Sequence, residues 1–158
     1  MQNLAKTPDH IDALVAAFKA AEYIVDAPDN AIVIRVGETT ADLDRMLGGR
    51  PWAIVTAHNP DGQLCTSETN AAAQRSLKKR LRESRPWALL AVCNHDPAGL
   101  WPDEPAFLFT PRNISEADCL ARGFGQRAVV SGRAGGPAHL RIYGESEHAP
   151  ATMPAVAS

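Results

Sequence analysis

Cysteine is scarce in this chain of 158 residues. Cys65, Cys93 and Cys119 are widely spaced and form no C-x-x-C pair, so neither a disulfide framework nor a zinc knuckle is supported. Long apolar runs are missing too. The longest, Trp87 to Cys93, falls far short of a membrane span, and Met1 to Lys6 lacks the apolar core of a signal peptide. A cytoplasmic protein without membrane association is the expectation. Charge of one sign is also lacking: 16 basic residues against 18 acidic ones give a net charge of -2, which argues against a general nucleic-acid binder. Gly48-Gly49, Gly123-x-Gly125 and Gly132-x-x-Gly135-Gly136 match neither a Walker loop nor a dinucleotide fingerprint. No G-x-S-x-G elbow occurs, and the five histidines show no i, i+4 zinc spacing. The expectation is no metal and no cofactor.

What is present describes an ordinary globular chain, 45% apolar and 22% charged. At this length about two thirds of the unfolded surface can be buried. One domain over 7–144 is expected, with 145–158, small, polar and proline-containing, as a disordered tail.

The most informative stretch is Ala53 to Ala57, an apolar strand, followed by the polar elbow His58-Asn59-Pro60-Asp61-Gly62-Gln63 and a long helix. A second apolar run, Pro86 to Cys93, completes a βαβ unit and implies a parallel strand pair. It ends in Asn94-His95-Asp96-Pro97, echoing the elbow, so a right-handed crossover sets both polar ends on one sheet edge. Ligands favour such edges in open α/β sheets, although Asn, Asp, Pro and Gly also serve simply as turn formers.

The other elements follow in order. Thr7-Pro8 starts a helix striped by Ile11, Leu14, Val15 and Phe18; Tyr23 to Val25 and Ala31 to Val36 form an antiparallel hairpin. Thr39-Thr40-Ala41-Asp42 caps a short helix that ends at Gly48-Gly49. Ser67 caps the long helix, whose stripe is Ala73, Leu77 and Leu81. Its other face carries Arg75, Lys78, Lys79, Arg80 and Arg82, with Arg85 beyond; without interleaved aromatics this reads as a solvated face. Ala106 to Phe109 is a strand, Ser115 caps a helix stapled by Ile114 and Cys119, and Ala128 to Val130 and His139 to Tyr143 form a last hairpin. The fold class is α/β, with α+β as the alternative: a mixed sheet of about six to seven strands and about four helices.

Ala21-Glu22-Tyr23, Thr56-Ala57-His58-Asn59-Pro60, Asn70, Trp101-Pro102-Asp103-Glu104-Pro105-Ala106-Phe107-Leu108 and Phe124-Gly125-Gln126-Arg127-Ala128-Val129 stand in the order seen in the DUF3293 family. The chain resembles that bacterial family over roughly residues 15 to 132. The resemblance brings no activity with it, and it associates the His58 position with a bulky, often aromatic side chain.

The candidate ligand-binding residues are His58, Asn59, Asn70, Asn94, His95, Trp101, Glu104 and Gln126. Asn59, held extended before Pro60, either closes a turn on its own backbone or faces a ligand. Asn70 caps the helix or joins the site, and Glu104 is a buried acid or an exposed loop charge. A small polar ligand or a protein partner at this sheet edge is the leading expectation. The alternative is a small hydrolase or transferase using His58, Cys65 or His95, with Cys65 near a helix amino end; catalytic residues are otherwise unassigned.

Overall fold

The computed structural model describes residues 6–144, with side chains from Asp12 onward. The elements are α1 (Lys6–Ala20), β1 (Glu22–Val25), β2 (Ile32–Ile34), α2 (Ala41–Met46), β3 (Trp52–Val55), α3 (Ser67–Glu83), β4 (Leu89–His95), β5 (Glu104–Phe109), α4 (Ile114–Gly123), β6 (Ala128–Gly132) and β7 (His139–Ile142). A tight 3-10 turn, Pro60–Gly62, lies between β3 and α3. The expected tail, 145–158, lies outside the described residues, as does the side chain of Thr7, which falls within α1 and not ahead of it.

The seven strands form one sheet in the order β2-β1-β4-β5-β3-β6-β7, flanked by four α-helices, as the α/β reading anticipates. Every strand ladder is antiparallel, and this corrects the expected parallel pair. The β3-α3-β4 crossover does leave β3 and β4 pointing the same way. However, β5 returns between them and pairs antiparallel with both, Ile54 opposite Leu108 and Leu90 opposite Leu108. The sequence suggested direct pairing because β3 is buried on both faces and so reads as an unbroken apolar run, the usual mark of a parallel strand.

Alternation along the strands divides the core in two. One face of the sheet gathers Ile34, Trp52, Ile54, Val92, Ala106, Leu108 and Val130 with Leu43 of α2 and the following Leu47. The opposite face packs Ala53, Val55, Phe109 and Val129 against Leu77 and Leu81 of α3 and Ala117, Leu120 and Ala121 of α4. An isolated parallel bridge between Val36 and Ala138 joins the chain after β2 to the chain before β7. Gly37 N–H donates to Ala138 O at 2.8 Å and Ala138 N–H to Glu38 O at 3.0 Å. The sheet therefore curls until its two edges meet at this one bridge, which pairs the backbone groups there.

Several local expectations shift by a residue or two. Thr66, not Ser67, caps α3 by accepting from Thr69 N–H at 3.1 Å, and Asn113, not Ser115, caps α4 by accepting from Glu116 N–H at 3.1 Å. Both serines already lie inside the helix. Thr40 precedes α2 without a side-chain cap bond, and Ile114 and Cys119, expected to form a staple, are both exposed. Trp87, expected in a strand, precedes β4 and is 58% exposed, with the Arg50 guanidinium 3.9 Å from its ring centre.

Candidate functional site

The polar ends of β3 and β4 emerge on the same edge of the curled sheet, and the elbow after β3 is fixed there by side-chain amides. Asn59 does not adopt the extended backbone expected before proline; its φ of 45° is left-handed, a region asparagine tolerates better than most residues. The conformation is held from α3. Asn59 N–H donates to Asn70 Oδ1 at 2.9 Å, and Asn70 Nδ2 donates to Asn59 Oδ1 at 2.9 Å. Cys65 N–H donates to the same Asn59 oxygen at 3.0 Å, and Asn59 Nδ2 donates to Glu104 Oε2 at 2.9 Å. The Asn59 amide thus ties elbow, helix and β5 together, and Asn70, 7% exposed, bonds the elbow instead of capping its own helix.

One turn further along α3, Gln74 repeats the arrangement. Its oxygen accepts from Ala57 N–H at 3.0 Å and its nitrogen donates to Pro105 O at 3.1 Å. Thr56 Oγ1 donates to the same carbonyl at 2.8 Å and accepts from His58 N–H at 3.1 Å. Gln126, buried, donates from Nε2 to His58 O at 3.1 Å and to Phe124 O at 3.3 Å, fastening the elbow to the chain before β6.

Beside this latch, Tyr23, Asn94 and Glu104 stand in one row across β1, β4 and β5: Asn94 is the register partner of Tyr23 on one side and of Glu104 on the other. Directly opposed residues in antiparallel strands project to the same side. The row opens into a cavity of about 230 Å³ that is also lined by Thr56, His58, Asn59, His95, Asp96, Trp101 and Gln126, and roofed by Ala13, Leu14, Ala17 and Phe18 of α1. Asn70 lies outside this cavity, in an outer groove of about 540 Å³ that shares His58, Asn59 and Glu104 with it and also holds Cys65, Gln74, Arg75 and Lys78.

Asn94 Oδ1 and His58 Nδ1, on two of the residues that line the cavity, are buried without a hydrogen-bond partner among the described residues. The neighbouring groups are occupied. The Tyr23 hydroxyl donates to Phe18 O at 2.9 Å, and burial, reinforced by the Glu104 carboxylate, pushes that phenol well above its usual range. Asp96 accepts from the N–H groups of Ala98, Leu100 and Trp101 at 2.9, 2.8 and 3.0 Å; these bonds hold its carboxyl below the ordinary range and shape the loop. His95 faces outward to Asp103, Nδ1 to Oδ1 at 2.8 Å, and that bond raises its pKa. Trp101 lines the cavity while remaining 50% exposed, next to Leu100 at 80%, and Leu64, just after the elbow, is 74% exposed.

The eight residues singled out from the sequence are brought to one edge, seven of them around the cavity and Asn70 behind Asn59. Tyr23, Thr56, Gln74 and the α1 roof were missed. Gln74 was within reach of sequence reasoning, since it follows Asn70 at i+4 and so lies on the same helix face. Cys65 lies in the outer groove with Sγ 3.6 Å from Gln63 O. Cys65, Cys93 and Cys119 are all unpaired thiols, and burial raises the pKa of Cys93. Among the described residues no group of three His, Cys, Asp or Glu side chains is arranged to hold a metal ion, and no helix is long and apolar enough to cross a membrane. The basic face of α3 borders a shallow depression lined by Arg75, Lys78, Lys79, Arg82, Glu83 and Arg85.

Residues 55–129 match DUF3293, a family described as a protein of unknown function. The match starts at the last residue of β3, ends inside β6 and contains Asn59, Asn70, Gln74, Asn94, Glu104 and Gln126; Tyr23 and the α1 roof lie outside it. No curated protein and no solved structure matches the chain.

Proposed function

We propose that this DUF3293-like domain is a binding module for a small molecule, held in the cavity between α1 and the edge where β3 and β4 end. The observation that carries the reading is the pair of buried atoms, Asn94 Oδ1 and His58 Nδ1, that have no partner among the described residues and belong to side chains lining the same space. Buried polar atoms are nearly always paired, and leaving one unpaired costs about 1–3 kcal/mol. Binding sites carry such costs because the ligand relieves them. The apolar roof of Leu14 and Phe18 supplies the complementary surface for a ligand body.

The test is Asn94→Leu, which keeps the side chain's size and removes its polar end. For a ligand site, the variant should be at least as stable as the wild type in thermal melts and should lose the stabilisation that a bound compound gives the wild type by mass action. A clear loss of stability in the ligand-free variant would show that the Asn94 amide serves the fold, and the reading would fail.

A protein partner at this edge is the second reading, supported by the exposure of Leu64, Leu100 and Trp101. Chemistry by His58, Cys65 or His95 has less support. His95 is engaged with Asp103 at the surface, and the Cys65 thiol faces the Gln63 carbonyl rather than an imidazole. The unpaired thiols support a reducing, cytoplasmic setting.

A further inference from the structure

We infer that the cavity selects an organic cation: an amine or quaternary ammonium group carried on a small apolar body. This rests on the binding reading above and adds the chemical class of the ligand.

The charges around the cavity lead to it. Arg127 faces Asp61, with Nε 3.4 Å from Oδ1, and His95 faces Asp103 at 2.8 Å. Asp96 is occupied by three backbone N–H groups. Glu104 differs. Its Oε2 accepts from the neutral Asn59 amide, and among the described residues no cation pairs with it. Its register partner Asn94 adds an acceptor oxygen with no donor among the described residues, and the Tyr23 hydroxyl hydrogen is committed to Phe18 O. The row across the three strands therefore offers a negative charge and acceptors, and it lacks a cationic donor of its own.

The walls complete the fit. Phe18, Tyr23 and Trp101 line the same cavity. Aromatic faces attract a cation, more strongly as water is excluded, and the Glu104 carboxylate on the wall supplies the counter-charge. An anion entering the same space would meet Glu104 at close range, while the one guanidinium among the described lining residues, Arg127, faces Asp61. The volume of about 230 Å³ suits a molecule the size of a phenylalkylamine and is too small for a folded partner.

The experiment is titration calorimetry with phenethylamine, agmatine and choline as cations, 2-phenylethanol as a neutral analogue and 3-phenylpropanoate as an anion. The proteins are the wild type, Glu104→Gln and Asn94→Leu. At least one cation should bind the wild type at least tenfold more tightly than the alcohol, and the anion more weakly still. Glu104→Gln retains an oxygen to accept from Asn59 and should weaken cation binding at least tenfold; Asn94→Leu should weaken it as well. Equal or tighter binding of the alcohol or the anion, or cation affinity unchanged in Glu104→Gln, overturns the cation assignment while leaving a binding cavity in place. Failure of all three cations to bind also overturns it. Failure of the cavity reading itself appears separately, as destabilisation of ligand-free Asn94→Leu.

Discussion

Asn59 and Asn70 form a closed ring of two hydrogen bonds, each 2.9 Å, in which the backbone N–H and side-chain oxygen of one are answered by the side-chain oxygen and nitrogen of the other. The ring holds a left-handed residue ahead of a proline, where neither neighbour favours that conformation locally. It also orients the Asn59 nitrogen toward Glu104, so the latch and the cavity wall share one network.

Breaking that ring should destabilise the fold. Asn70→Ala leaves the Asn59 N–H and one bond of its oxygen without their partner, at about 1–3 kcal/mol for each buried group left unpaired. Asn70→Asp keeps the acceptor for Asn59 N–H but sets a carboxylate oxygen against Asn59 Oδ1 in a buried position, so it should destabilise as well. Urea denaturation measures both, and an Asn70→Ala midpoint equal to the wild type would show the ring to be dispensable.

Three glycines give a graded series. A Cβ on Gly132 would lie 2.5 Å from Cζ2 of the buried Trp52 ring, so Gly132→Ala should cost about 1–3 kcal/mol through overpacking. Gly125 has φ +70° and a Cβ there would lie 2.7 Å from Pro60 Cβ; Gly125→Ala should cost at least about 1–2 kcal/mol and loosen the bond from Asp61 N–H to Gly125 O. Gly123, in α4, would place a Cβ in open space, with no neighbouring heavy atom within 4 Å, and Gly123→Ala should be neutral or stabilising by about 0.5–1 kcal/mol. Thermal melts that failed to separate Gly123→Ala from the other two would contradict these packing assignments.

Asp118 should govern part of the acid stability. Its carboxylate accepts from Arg141 Nε and Nη2 at 2.7 and 2.8 Å and from the Tyr143 hydroxyl at 2.7 Å, and these bonds hold its pKa below the ordinary range. A depressed folded-state pKa contributes stability that is present above the unfolded value of about 3.9 and is lost as pH falls through the folded value. Asp118→Asn should therefore be less stable than the wild type at pH 7, with the gap closing below about pH 4. Tyr143→Phe should cost about 1.5–3 kcal/mol, the range for a hydrogen bond to a charged group. A gap that stayed constant from pH 7 to pH 2 would rule out the assignment.

His95 should titrate above the ordinary histidine range. The bond to Asp103 is the main cause; desolvation opposes it, and the charges of Asp103, Glu22 and Asp96 add to it. A raised folded-state pKa gives stability that is present below about 6.5 and lost as pH rises through the folded value. In an NMR titration, Asp103→Asn should move the His95 midpoint down toward 6.5. An unchanged midpoint would mean that the pair does not persist in solution.

The local elements were legible because they depend on neighbours in sequence. The spacing of Leu77 and Leu81 marked the buried stripe of α3, the β-branched runs flanking Asp29-Asn30 marked the β1-β2 hairpin, and Gly48-Gly49 marked the left-handed end of α2. The repeated polar ends after β3 and β4 also carried information, since Asn59 and Asn94 do reach one edge. Their common direction needs only the crossover, not direct pairing of the two strands.

Pairing partners were decided by the tertiary structure alone. A strand buried on both faces, as β3 is, looks the same beside a parallel or an antiparallel neighbour, so nothing in Trp52 to Val55 announced that β5 would lie between β3 and β4. The roles of the amides were hidden for a similar reason. An asparagine that closes a turn, caps a helix or bridges two elements is the same letter, and only the packing of α3 against the elbow commits Asn59 and Asn70 to each other. Composition and periodicity determined which segments are helix or strand because those preferences are local; which acceptor is left without a donor at Asn94 depends on every chain segment that surrounds it.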